Sequence, residues 1–114
     1  MRNLTKALKA ISDQNRLKIL KMLEVRPLCV CEITELLHVS TSTVSKHLSQ
    51  LREAGFIIDM KDGKYVEYSL DAHTANPEIR ELLALVSTWL RDDPEVRTYA
   101  ARLKAVDRYQ LCAM

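Results

Sequence analysis

The chain has 114 residues, of which 47% are hydrophobic and 28% charged, with only 2 glycines and 3 prolines. This composition supports one folded domain with an apolar core and argues against a loop-rich or β-sandwich protein. No apolar run approaches the roughly 20 residues of a membrane span, and the first residues lack a signal-peptide cleavage site. We therefore expect a cytoplasmic protein with no membrane partner.

The net charge of +2 is unevenly distributed along the chain. Residues 1–70 hold 11 Lys/Arg and 8 Asp/Glu, whereas residues 71–114 hold 6 and 7. A basic front part suits a nucleic-acid reader, and ordinary solubility charge explains so small a difference equally well.

Apolar residues at helical spacing dominate the first half of the chain. The predicted helices cover residues 3–11, about 13–25, about 30–37 and about 41–54. Ser12 or Asp13 suits the cap of the second helix, Ser40 that of the fourth, and Gly55 the left-handed end of the fourth. The third and fourth helices form a predicted helix-turn-helix over about residues 30–54.

After Gly55 the period changes from helical to two. The runs "FIIDM" and "KYVEYSL" flank Asp62-Gly63, which favours a tight hairpin over about residues 56–70. Helical spacing returns after Pro77, and a last helix is predicted from Pro94 to about Val106. The apolar face of the first of these two helices comprises Ile79, Leu82, Leu83, Val86, Trp89 and Leu90. The element order predicts one mainly α domain over residues 1–114, a winged helix-turn-helix.

The fourth helix has an apolar stripe, Val44, Leu48 and Leu51, that we expect to pack inward. Its opposite face carries small hydroxyl groups that let a backbone approach a DNA duplex, a lysine that adds charge, and a glutamine that suits adenine. The hairpin adds two lysines near its tip. The predicted DNA-contacting residues are Ser42, Thr43, Ser45, Lys46, His47, Ser49, Gln50, Lys61 and Lys64. An ordinary solvated surface is the alternative interpretation, and for His47 packing or a phosphate contact is favoured over a switch role.

Several segments together resemble the ArsR/SmtB family of metal-responsive bacterial repressors. "AISDQNRLKIL" resembles its second helix, "LCVCEITELLHVSTSTVSKHLSQLREAGFI" its helix-turn-helix and "KDGKYVEYSL" its wing, over about residues 4–90. The resemblance implies a homodimeric repressor, not an enzyme, that leaves operator double-stranded DNA when metal binds. It also implies dimerisation through the first and last helices, about residues 3–11 and 77–106, and no organic cofactor.

Cys29 and Cys31 lie in the segment that resembles the thiol box of the arsenite- and cadmium-sensing branches. Burial in the core explains Cys29 but not Cys31. Residues two apart point about 200° apart on a regular helix, so both sulfurs reach one ion only if the helix begins after Cys29 or its first turn unwinds. A soft ion that draws the sulfurs together would displace the third helix and, with it, the fourth.

Trivalent arsenic and antimony favour three thiolates, and the third ligand stays open at this point. The candidates are Cys112 of either protomer, in a short tail after the last predicted helix, a small cellular thiol, and hydroxide. The cadmium and lead branch draws extra cysteines from an N-terminal extension, but only Met1 to Asn3 precede the first helix here. As(III) or Sb(III) is therefore the expected inducer.

Other functions remain as alternatives. They are a redox-responsive or Cd/Pb-responsive repressor and, less favoured, a thiol redox protein or metallochaperone. The three cysteines are expected to be reduced in the cytoplasm, and their odd number does not suggest a disulfide framework. Asp71 and His73 are interpreted as loop residues rather than zinc ligands.

Overall fold

The front half of the molecule is helical, with caps at the predicted positions. A computed structural model describes residues 1–112. Its first helices are α1 (Arg2–Ile11), α2 (Gln14–Leu23), α3 (Val30–Leu37) and α4 (Thr41–Ala54). The Asp13 side chain accepts the Arg16 N–H at 3.1 Å, and the Ser40 hydroxyl accepts the Thr43 N–H at 3.1 Å. Gly55 ends α4 at φ 98°, which confirms the predicted left-handed cap.

A small antiparallel sheet contains the predicted hairpin. Its strands are β1 (Leu28–Cys29), β2 (Ile57–Asp62) and β3 (Tyr65–Leu70), in the order β1-β3-β2. Gly63 has φ 60° in the turn between β2 and β3, as the Asp62-Gly63 pair predicted. The sequence did not predict β1, since two residues are too few to show a period. It forms through pairing with β3, with Leu28 opposite Tyr68 and Cys29 opposite Glu67.

Three helices follow the hairpin: α5 (Pro77–Thr88), α6 (Pro94–Ala105) and α7 (Arg108–Cys112). The prediction that helical structure continues through Leu90 is wrong, because Trp89 is extended and Leu90 has φ 62°. The prediction of a tail after the last helix is also wrong. Asp107 and Gln110 exchange two backbone-to-side-chain hydrogen bonds at 2.9 and 3.0 Å, which caps α7.

The hydrophobic core fixes the orientation of α4. Val44, Leu48 and Leu51 are fully buried, as predicted, so the opposite face of α4 points to solvent. Burial of each such side chain contributes about 1.5–3 kcal/mol. The last long helix, α6, packs against α2 and buries Tyr99 and Leu103. Among residues 1–112, the helices lack the length and apolarity needed to span a bilayer.

Candidate thiol site and DNA-reading surface

The first turn of α3 brings the two neighbouring thiols together. Cys29 is the N-cap residue, with extended backbone at φ −97° and ψ 169°, so the helix begins at Val30. The Sγ atoms of Cys29 and Cys31 consequently lie 3.1 Å apart. Of the two geometries that the sequence allowed, a helix that begins after Cys29 is the one observed. Cys29 is 3% exposed, and Cys31 is partly buried.

Cys112 on α7 lies at the same place. It forms a disulfide with Cys31, with the two Cα atoms 5.7 Å apart, and its Sγ is 3.9 Å from that of Cys29. The sequence did not suggest this disulfide, because the two cysteines are 81 positions apart and only the packing of α7 brings them together. The three sulfur atoms all lie within 4.8 Å of one another. Once Cys31 and Cys112 are reduced, one chain therefore presents three thiols to a single small ligand.

A buried carboxylate, Glu32, adjoins the thiols. Its Oε1 accepts the Cys29 N–H at 3.0 Å, and the guanidinium groups of Arg26 and Arg108 lie 2.7 and 3.0 Å from its oxygens. Burial by itself raises the pKa of Glu32, but the Cys29 N–H and the two arginines lower it below its ordinary value. Glu32 is therefore ionised at neutral pH. Burial raises the pKa of the Cys29 thiol, and the charge of Glu32 adds to the increase.

Arg108 has one guanidinium group shared by three carboxylates. Its N–H groups donate to Glu32 at 3.0 Å, Asp62 at 3.1 Å and Glu67 at 2.7 Å. Burial alone lowers the pKa of Arg108, but Glu67 and Glu32 raise it above the ordinary value, so it stays charged. No sequence pattern had singled out Arg108 and its three carboxylate partners. The spacing of Cys29 and Glu32 is that of a capping box, a usable local signal, whereas no local pattern points to Arg108.

The polar face of α4 is open to solvent. The exposed predicted residues are Ser42, Ser45, Lys46, Ser49 and Gln50, together with Lys61 and Lys64 of the hairpin. Thr43 and His47 are partly buried. The Thr43 hydroxyl accepts a hydrogen bond from the Ser40 hydroxyl at 2.8 Å. Thr43 therefore has a partner within the helix start, and so does Ser42, whose hydroxyl oxygen lies 3.2 Å from that of Ser40.

Arg16 is a residue of this surface that sequence reasoning missed. Its Nη1 lies 3.2 Å from His47 Nδ1 and also donates to Gln50 Oε1. Its Nε donates to the Ala10 carbonyl at 2.6 Å, which braces α4 against the end of α1. Gln50 is thus exposed but already paired. A contact of its amide oxygen with a base therefore either uses the second lone pair of that oxygen or replaces the Arg16 hydrogen bond.

Comparison with known proteins decides the family. The family model described as "Bacterial regulatory protein, arsR family" matches residues 13–59. The arsenic resistance transcriptional regulator ArsR2 of Pseudomonas putida is 35% identical over 108 residues, which cover 87% of this chain and 84% of that protein. The chain belongs to the ArsR family. The predicted family resemblance is confirmed.

Other relatives are named for resistance to arsenic or to cadmium. The arsenical resistance operon repressor of Escherichia coli is 42% identical over 66 residues, covering 57% of this chain and 56% of that protein. A cadmium resistance regulator, a CadC homolog of Staphylococcus aureus, is 41% identical over 70 residues, covering 60% and 58%. These two alignments span little more than half of each relative's length. All three relatives are named as regulators or repressors and none as an enzyme.

Solved structures support the winged helix-turn-helix fold. Reduced HlyU from Vibrio cholerae superposes with a TM-score of 0.62 and 32% identity, covering 75% of this chain and 85% of that one. A homodimeric winged helix-turn-helix DNA-binding domain from Mycobacterium bovis gives a TM-score of 0.64 at 24% identity, covering 75% and 76%. The predicted fold class is confirmed, with β1 and α7 as additions.

Proposed function

We propose that this ArsR-family protein is a cytoplasmic repressor that binds operator DNA as a homodimer and leaves it when As(III) or Sb(III) binds Cys29, Cys31 and Cys112. One observation carries the proposal: three cysteine sulfurs of one chain lie within 4.8 Å of one another at the start of α3. The names of the Pseudomonas putida and Escherichia coli relatives support the arsenic response.

The thiol chemistry fits a trivalent metalloid. Three thiols and arsenous acid, As(OH)3, give As(SR)3 and three waters, so the three protons leave with the hydroxyl groups. The reaction requires Cys31 and Cys112 as thiols, which the reducing cytoplasm favours. Among the third ligands that the sequence left open, the geometry favours Cys112 of the same chain. Glu32 also lies near the thiols, but it is not proposed as a ligand. Its carboxylate oxygens already contact the Cys29 N–H and the guanidinium groups of Arg26 and Arg108.

Movement of the thiols is coupled to the DNA-reading helix through packing. Cys29 caps α3 and Cys31 lies in its first turn, and α3 packs directly against α4. When the three sulfurs move closer together to bind one ligand atom, the start of α3 shifts. Because α4 packs against α3, the orientation of α4 towards the DNA then changes. Each tenfold loss of operator affinity requires about 1.4 kcal/mol of coupling, so a few kcal/mol are enough for release.

The proposed DNA contacts are the exposed face of α4 and the hairpin lysines. Ser42, Ser45, Ser49 and Gln50 are placed to read base edges and phosphates, and Lys46 adds positive charge. Thr43 and His47 flank this face, and Lys61 and Lys64 serve the wing.

Operator release by arsenite tests the thiol site. We expect the Cys29→Ser and Cys31→Ser variants to bind operator DNA as wild type does. Arsenite should no longer release them from the operator, because one remaining thiol of the pair cannot displace the start of α3. Cys112→Ser should require more arsenite, because an external thiol or hydroxide must replace its sulfur. Fluorescence anisotropy of labelled operator under reducing conditions measures both quantities.

Thermal unfolding of the same variants is the control, since Cys29 is buried and serine there lowers stability. Wild-type release by the Cys31→Ser variant at matched stability would contradict the proposal. Unchanged release by Cys112→Ser would assign the third ligand to an external group.

A redox response is the second candidate function, and the disulfide between Cys31 and Cys112 favours it. Oxidation by a disulfide or peroxide would join these sulfurs and leave Cys29 as the free thiol. Operator affinity of the oxidised and reduced protein, measured without arsenite, separates the two functions. A large difference between the two forms would support redox sensing.

A further inference from the structure

We infer that Arg108 is the positioning residue that holds Cys112 beside Cys29 and Cys31, and that it connects this thiol site to the wing. The inference rests on the proposed function for the role of Cys112 as a ligand. It adds a residue that touches none of the three sulfurs through a hydrogen bond but determines where one of them lies.

The guanidinium of Arg108 joins three elements at one point. It donates from Nε to Glu32 on α3, from Nη1 to Asp62 on β2 and from Nη2 to Glu67 on β3. Its side chain is 11% exposed, and that of Glu32 is fully buried. The five N–H donors of an arginine lie in a rigid plane, so bonds in three directions fix the side chain firmly. A lysine ammonium offers no such fork.

The short helix α7 depends on such an anchor. It has five residues, far fewer than a helix needs for stability by itself. Arg108 and Cys112 are four positions apart and therefore lie on the same side of α7, one above the other. Leu111 is buried beside them, whereas Tyr109 is 68% exposed. The ring of Tyr109 packs edge to face against that of Tyr65, with 6.2 Å between the ring centroids. Fixing Arg108 against Glu32 thus places the Cys112 sulfur over the pair.

The same contacts extend to the DNA-reading wing. Glu67 pairs across the sheet with Cys29, and Asp62 ends β2 just before the turn. If a rearrangement of the sulfurs displaces α7, Arg108 therefore transmits the movement to both strands of the hairpin, through its bonds to Asp62 and Glu67. The wing becomes a second route, besides α3 and α4, by which the thiol site affects DNA binding.

The test compares Arg108→Gln with Cys112→Ser and with the double variant. We expect Arg108→Gln to raise the arsenite concentration for half-release about as much as Cys112→Ser does, on the order of tenfold. The double variant should shift no further, because both changes remove the same sulfur. Arsenic K-edge absorption should count three sulfurs per arsenic in wild type and two in Arg108→Gln.

Two further variants separate positioning from folding. Arg108→Lys keeps the charge without the fork and should restore the response only in part. Asp62→Asn removes the most exposed of the three contacts, with Asp62 65% exposed, and should shift release less than Arg108→Gln. In both Arg108→Gln and Arg108→Lys, the buried carboxylate of Glu32 keeps its ion pair with Arg26 at 2.7 Å. We therefore expect both variants to fold.

A second readout is independent of arsenite. In a Cys29→Ser background, Cys31 and Cys112 react with oxidised glutathione to give one disulfide and two reduced glutathione molecules. Their effective concentration, measured in glutathione redox buffers, should fall about tenfold in Arg108→Gln. An arsenite-insensitive wild type would overturn the proposed function, and the exchange measurement would still decide the docking of α7. Unchanged thiol exchange in Arg108→Gln would overturn the role inferred for Arg108.

Discussion

Cys29 combines two roles at one position. As the N-cap of α3 it has extended backbone, which turns its sulfur towards that of Cys31 instead of away from it. It is also buried next to the charge of Glu32, and both influences keep its pKa above the ordinary value. At neutral pH the folded protein therefore holds Cys29 as a neutral thiol.

The protonated thiol provides a way to distinguish arsenite from cadmium. Exchange of three thiols with As(OH)3 releases only water, so the affinity for arsenite should stay nearly constant between pH 6 and pH 8. Binding of Cd(II) by the same thiols releases three protons, so its affinity should rise about a thousandfold per pH unit below the thiol pKa values. Competition titrations at three pH values, with operator release as the readout, measure both slopes. Equal slopes for the two ions would show that the ligand set differs from the one proposed.

At the level of the elements, α4 and the wing divide the proposed DNA contacts by chemistry. The hydroxyl and amide groups on α4 are short and directional, whereas Lys46, Lys61 and Lys64 are long, exposed charges. Directional groups read base edges, and flexible charges contact phosphate whatever the sequence.

This division predicts two classes of variant. Lys46→Ala, or Lys61→Ala with Lys64→Ala, should weaken binding to every DNA sequence and reduce the salt slope by about one for each lost phosphate contact. Ser42→Ala and Gln50→Ala should change the preferred bases instead, by about 1–3 kcal/mol for a good contact. Operator and mismatched duplexes titrated at several salt concentrations separate the classes. Lys104→Ala on α6 is the matched control and should change neither quantity.

The helix α7 shows how an element with little intrinsic stability gains a fixed place. Its start is capped reciprocally by Asp107 and Gln110, and Leu111 is buried in the core. The charge network around Arg108 then sets its orientation against α3 and the hairpin. The docked helix makes Cys112 a neighbour of Cys29 and Cys31, which lie 83 and 81 positions earlier in the chain.

Across the whole molecule, apolar side chains remain exposed on α1, on α5 and in the two residues that follow α5. Leu8 is 48% exposed, Leu85 49%, Trp89 43% and Leu90 41%. A chain of this size gains stability when such residues are covered, and one DNA reader per chain suits a twofold dimer. By contrast, α6 uses Tyr99 and Leu103 within the chain. The proposed dimer surface therefore centres on α1 and α5.

Charge placed on this surface tests the dimer. Leu85→Lys should convert the protein to a monomer and greatly reduce operator affinity, because two linked half-sites, about one duplex turn or a multiple apart, are no longer bound together. Ala101→Lys tests α6, which the family resemblance included in the interface. Sedimentation of each variant, with operator binding alongside, gives the result. A dimeric Leu85→Lys variant would exclude this surface.

Local sequence signals were enough to predict the elements that depend on neighbouring residues. Apolar spacing and the caps Asp13, Ser40 and Gly55 are local, so the helix-turn-helix and the hairpin were predictable. The position of the third sulfur and the contacts of Arg108 became visible only in the folded molecule. Cys29 and Cys112 are 83 positions apart, and their approach results from packing and a charge network that leave no periodic trace in the sequence.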